Sequence, residues 1–347
     1  MKNNNLIVVF LGILSIFIVG VILLELKAVL LPFTIALLLS VIFKPVVIAL
    51  KKRRLPTAIS LFMVLLVFFL IMFLLGWLIF SSTESFVDSM PRYEGKLTAI
   101  ITGVQTKILI WAESLELPIA EFHWTDALEF SSVTSIVGTG LGSFISFLST
   151  TFLILLFMLF ILAGSGDMAE KVRTAYPEAF ADRIGQVIAT VDTRVRQYLV
   201  TKTLISLGTG TITFIILLIL GVDFPLVWGF LAFILNYIPN IGSLIAVLFP
   251  FALSLLQFES LTVPVLVIVF LGGTQTLMGN VIEPRIMAFR LNLSPLLILV
   301  SLIFWGWLWG VLGMMLAVPI TASLKIVIEN IEPMKPVAML MSGSLEG

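Results

Sequence analysis

Long apolar runs, separated by short polar stretches, dominate the chain. Leu6 to Leu24 carries no charge over 19 residues, and a helix crosses ~30 Å of hydrocarbon with about 20 apolar residues. Val29 to Leu50, Ile59 to Phe80, Leu141 to Leu162 and Leu204 to Leu220 are runs of the same kind. So are Phe224 to Leu256, Leu261 to Ile282 and Leu293 to Leu324. The first run is too long for a signal peptide, and Glu25-Leu26-Lys27 follows it where a small-residue cleavage site would stand. It reads as a retained span. The pattern predicts an all-α, polytopic integral membrane protein with about eight membrane-embedded segments.

Two polar stretches keep a helical period. Leu97, Ile101, Val104, Ile108, Trp111 and Leu115 alternate steps of four and three, a heptad seam. Phe180, Ile184, Val187, Val191, Val195 and Tyr198 do nearly the same. Each seam fits a helix lying on the bilayer or packed on its own bundle, and equally a contact between subunits. The second reading makes the protein a homo-oligomer. The expected organisation is three N-terminal transmembrane helices (1–80), an extracytoplasmic amphipathic segment (81–140) and a fourth transmembrane helix (141–163). A cytoplasmic amphipathic segment (164–203), a C-terminal transport core (204–325) and a cytoplasmic tail (326–347) follow.

Composition agrees with lipid as the missing solvent. Hydrophobic residues make up 60% of the 347 and charged ones 12%, against roughly 45–50% and about 25% in soluble domains. Twenty basic and twenty acidic residues cancel, so no global field points to nucleic acid. Cysteine is absent, which removes disulfides and thiolate chemistry together. Basic residues mark cytoplasmic loops. Lys51-Lys52-Arg53-Arg54 therefore sets the second turn inside, and with it both termini and the 163–203 connection.

Two segments carry breaks. Phe224 to Leu256 is longer than one untilted crossing, and its middle reads Asn236-Tyr237-Ile238-Pro239-Asn240-Ile241-Gly242. Pro239 lacks a backbone donor, and Gly242 admits close backbone approach. The last segment holds Trp305-Gly306-Trp307-Leu308-Trp309-Gly310-Val311-Leu312-Gly313, with Pro319 beyond. Irregular backbone at membrane depth survives where protein buries it or where it lines a wet cavity. A kinked helix satisfies the first condition, and a re-entrant or unwound helix at a transport site the second; the second is preferred. Gly242-x-x-x-Ala246-Val247 aligns with Gly313-x-x-x-Ala317-Val318, and Pro250-x-x-x-Ser254-Leu255 with Pro319-x-x-x-Ser323-Leu324 after a two-residue gap. If both segments are re-entrant, Arg285 and Arg290 move inside and join most of the other basic residues. The two breaks then enter from opposite faces as an inverted repeat, a design that places substrate where the broken elements meet.

Polar groups concentrate around these breaks. Asn236, Asn240, Gln275, Asn280 and Glu283 are the candidates for contact with a substrate or coupling ion. Arg285 is the expected partner of Glu283 or an anion-binding group, because charge at membrane depth suggests function by default. Pro239, Gly242, Pro284, Gly306, Gly313 and Pro319 are the expected helix breaks. The single histidine, His123, reads as a surface residue, since a metal site needs several ligands. No catalytic group, metal or cofactor is expected, and the chain does not read as an enzyme.

These stretches resemble the autoinducer-2 exporter family of bacterial membrane transporters. The likeness rests on NYIPNIGSLIAVLFP (Asn236 to Pro250) and on GNVIEPRIMAFRLNLSPLLILVSLIFWGWLWGVLGMMLAVPITASLK (Gly279 to Lys325). It implies a multi-pass protein of the bacterial inner membrane that is a gradient-driven secondary transporter, exporting a small solute such as autoinducer-2. Members described as sodium or lithium ion/proton antiporters make cation exchange the alternative. A scaffold or assembly factor without transport activity is a third expectation, and it gives asparagine and proline little reason to lie at membrane depth.

Overall fold

Eleven α-helices run in chain order through the described part of the computed structural model, which covers residues 2–114, 140–164, 171–172, 174–287 and 291–343. They are α1 (Lys2–Glu25), α2 (Lys27–Lys52), α3 (Thr57–Ser114), α4 (Gly140–Gly164), α5 (Glu178–Ile219) and α6 (Pro225–Leu235). Then come α7 (Ile241–Gln257), α8 (Thr262–Leu277), a π-helical stretch (Met278–Ile282), α9 (Glu283–Ile286), α10 (Pro295–Glu329) and α11 (Lys335–Leu340). No strand occurs among the described residues. Six helices are long and apolar enough to cross a membrane: α2, the first part of α3, α4, α5, α8 continued to Ile286, and α10. The protein is an all-α, multi-pass membrane protein.

α2, α3 and α4 form one bundle. Ala36 and Val47 meet Leu61, Val64 and Phe68, and both groups meet Ile154, Met158 and Leu162. Phe33 packs edge-on against Phe157, and Phe43 against Phe68. The outer faces carry Phe62, Leu66, Leu70, Phe152 and Phe160, all exposed. Apolar side chains on the outside are what hydrocarbon requires of a bundle whose interior is no more apolar than its surroundings.

Two helices continue unbroken across the expected segment boundaries. α3 continues for 58 residues, about 87 Å at 1.5 Å per residue, straight past residue 80. α5 likewise joins the polar 178–203 stretch to the span that follows it. A change from apolar to polar side chains alters the solvent a helix prefers, while its backbone ladder stays intact. Residues 115–139, with Leu115 and His123, lie outside the described part, as does Arg290.

The C-terminal half contains two helical hairpins. α5 stops at Gly221 (φ 69°), where Val222 N–H donates to Leu217 C=O and Gly221 N–H to Leu218 C=O, the Schellman arrangement. α6 then runs to a turn at 236–240 and α7 returns alongside it, with Trp228 stacked on Phe249 at 6.3 Å. The hairpin closes at its base, where Gln257 accepts from Asp223 N–H at 2.8 Å and donates to Gly221 C=O at 2.8 Å.

α10 doubles back in the same way. Gly310 (φ 67°, ψ −148°) interrupts its helical dihedrals, a conformation open essentially to glycine alone. Thr321 Oγ1 reaches Ser301 Oγ across the two arms at 3.0 Å, and Lys325 Nζ donates to Asn292 C=O at 2.9 Å. Pro284 and Pro319, expected to break helices, sit within α9 and α10 without ending them. Proline removes one donor, but reversing the chain takes the positive φ found at Asn240 and Gly310.

Candidate functional site

The first hairpin turns on a strained residue. Asn240 has φ 62° and ψ −52°, and Ile241 N–H donates across it to Pro239 C=O at 2.7 Å. These dihedrals are those of a γ-turn of the rare kind with positive central φ. Gly242 follows because a Cβ there would lie 1.8 Å from Leu235 C=O. α6 in turn presses on α5 at Gly210 and Gly229, each packed against the other's carbonyl. This contact fixes the height of the turn against α5.

Beneath the turn lies a cavity of about 290 Å³. Its walls are Lys202 from α5, Asn236, Ile238, Pro239 and Asn240 from the turn, Ser243 from α7, Gln275 and Thr276 from α8, Gly279 and Asn280 from the π-helical stretch, and Glu283 from α9. Five residues singled out by sequence, Asn236, Asn240, Gln275, Asn280 and Glu283, therefore converge on one space. The π-helical turn sets the direction of two of them, Asn280 and Glu283. One additional residue per turn shifts Asn280 and Glu283 around the helix axis relative to an α-helix, and such turns recur at functional sites.

Lys202 completes the site, and the sequence reading missed it. Its Nζ donates to both carboxylate oxygens of Glu283, at 2.6 and 2.8 Å. Lysine side-chain exposure is 5% and glutamate 23%, so the pair is largely withdrawn from solvent. Removing one partner of such a pair strands a charge and costs about 3–5 kcal/mol. Arg285, the partner expected from sequence, lies outside the cavity on the exposed side of α9. The reason is angular: two residues apart on a helix, Glu283 and Arg285 point to different faces. A signal for Lys202 existed. It is four residues beyond Tyr198, the last position named in the α5 seam, and thus on that helix's buried face.

Neighbouring hydroxyls brace the wall. Asn236 Nδ2 donates to Ser206 Oγ at 2.9 Å, and Thr203 Oγ1 and Tyr237 OH share a hydrogen bond of 2.6 Å. The second hairpin stands beside this site and does not line it. Its Leu302, Trp305, Leu308 and Trp309 pack around Ile238, so the two turns meet through an apolar contact. Gly306 and Gly313 make that second turn tight; a Cβ on Gly313 would lie 1.9 Å from Trp305 C=O.

A family model described as AI-2E family transporter matches residues 8–332. The chain belongs to the AI-2E transporter family. Among the relatives of this AI-2E family member is AI-2 transport protein TqsA of Escherichia coli, 31% identical over 342 residues, covering 98% of this chain and 96% of that protein. A Haemophilus influenzae protein, provisionally named a transport protein, is 32% identical over 343 residues, 95% of each chain. A Borreliella burgdorferi protein with the same provisional name is 28% identical over 320 residues, covering 92% of this chain and 86% of its own. The match spans both hairpins and the bundle, so the cavity lies within the shared architecture.

Proposed function

We propose that this AI-2E family member is a secondary transporter of the inner membrane that exports a small polar solute such as AI-2. The observation that carries the reading is the cavity: four carboxamides and a shielded Lys202–Glu283 pair gathered under a strained hairpin turn. Carboxamides both donate and accept hydrogen bonds, as a hydroxyl-bearing solute requires. In this reading an ion gradient or the solute's own gradient drives flux. Membrane potential supplies about 2.3 kcal/mol per charge at 100 mV, enough for modest accumulation.

In this reading the hairpins are re-entrant and form an inverted repeat. Three correspondences support it. Asn240 and Gly310 are the positive-φ turn residues, Gly242 and Gly313 the close-approach glycines, and Pro250 and Pro319 the buried prolines. The mouths also point apart. The first closes next to the C-terminal end of α5, while the second lies near the α5 N-terminus, where Arg183 donates to Asn330 C=O at 2.7 Å. Both termini are cytoplasmic in this arrangement, and the exposed part of the α3 seam, Val104, Ile108 and Trp111, is the contact between copies of the chain.

Flux of AI-2 in reconstituted vesicles tests the site. Asn240→Gly keeps a residue at ease with positive φ and deletes the carboxamide, and Glu283→Gln deletes the charge. Both are expected to lower flux at least tenfold while the protein still assembles. Wild-type rates in both variants would refute the site.

A further inference from the structure

Among the described residues, two charged side chains line the cavity, and they are paired with each other. Lys202 Nζ engages both oxygens of Glu283, leaving neither carboxylate oxygen without a cationic donor. The rest of the polar wall is amide and hydroxyl. The geometry points to Lys202 as the residue that sets the charge selectivity of this site. By neutralising Glu283 from within, it reserves the cavity for a net-neutral polar solute and refuses sodium and lithium. This rests on the reading of the cavity as the transport site.

The physical reason is competition for one carboxylate. An alkali cation entering the cavity must give up hydration for protein oxygens and needs a counter-charge. The single counter-charge present is held by a tethered ammonium, whose effective concentration at Glu283 far exceeds that of a free ion. Displacing it would also leave the ammonium nearby, repelling the newcomer across a poorly screened distance. A neutral solute meets neither obstacle. Its hydroxyls exchange water for carboxamides, and it brings no charge to desolvate. The volume, about 290 Å³, lies near the lower end of the ~300–1,000 Å³ usual for small-molecule pockets.

Thermal unfolding of the purified full-length protein, in sodium, lithium or choline chloride at equal ionic strength, tests this without any transport. The wild type is expected to unfold at the same temperature in all three. Lys202→Gln frees the carboxylate and is expected to gain roughly 3 °C or more in sodium or lithium over choline. Lys202→Gln/Glu283→Gln is expected to lose that gain. If Lys202→Gln cannot be purified in choline, recovery in sodium alone supports the proposal. Recovery in neither salt, with the double variant folding in both, overturns it. So does a sodium stabilisation of the wild type that Glu283→Gln abolishes. Because no flux is measured, failure here leaves the vesicle experiment standing, and failure there leaves this cation response intact.

Discussion

Single residues decide where the two hairpins turn, and the constraint differs from one glycine to the next. At Gly242 and Gly313 the obstacle is a backbone carbonyl under 2 Å from the position a Cβ would take, and backbone cannot step aside as a side chain can. At Gly310 the surroundings are open, and the obstacle is the dihedral pair itself. Gly272 has neither problem, being helical with free space around it. Gly242→Ala and Gly313→Ala are therefore expected to lose several kcal/mol of stability, in the upper range for single substitutions. Gly310→Ala should lose about 1–3 kcal/mol from strain alone. Gly272→Ala should be neutral or gain up to ~1 kcal/mol in helix propensity. Thermal unfolding in detergent measures all four, and an unfolding temperature for Gly313→Ala equal to the parent's would contradict the tight second turn.

At the scale of elements, polar stretches that the pattern set apart prove to be extensions of membrane helices. The two seams have different fates along them. On α5, Val195 and Tyr198 bury against Leu38 and Val318, and the same face carries Lys202 into the cavity. On α3, Val104, Ile108 and Trp111 stay exposed, Trp111 at 75%. The α3 extension does touch the first hairpin at its base, where Tyr93 OH donates to Asp223 Oδ2 at 2.5 Å and Lys96 Nζ to Gln257 C=O at 3.2 Å. Hydrogen bonds to charged groups contribute about 1.5–3 kcal/mol. Tyr93→Phe should therefore loosen the hairpin base, raising amide exchange at residues 221–224 and near Gln257 several-fold. Unchanged exchange there, with the variant folded, would show that α3 does not clamp the hairpin.

Across the whole molecule, α5 is the helix that both hairpins touch, with one hairpin mouth near each of its ends. The native chain contains no cysteine, so single cysteines can report sidedness directly. Glu259→Cys lies exposed beside the first mouth, Glu332→Cys beside the second, and Lys52→Cys in the basic turn. In oriented vesicles a membrane-impermeant thiol reagent should label position 259 from one side and positions 332 and 52 from the other. Labelling of 259 and 332 from the same side would end the inverted arrangement.

Much of this was legible in the sequence because it depends on local chemistry. Lipid-length apolar runs, the turn at Asn236 to Gly242, and the amides that gather there follow from composition, period and spacing along one strand of text. Pairing across the chain was not legible. Glu283 and Lys202 are 81 positions apart, and whether a lysine at a helix's polar end faces solvent or a carboxylate depends on how α8 and α9 wind past α5. The sequence by itself determined that the protein lives in lipid, with charge scarce and confined. Only tertiary structure decided which opposite charges share a cavity, because electrostatic attraction falls with distance through space and takes no account of separation along the chain.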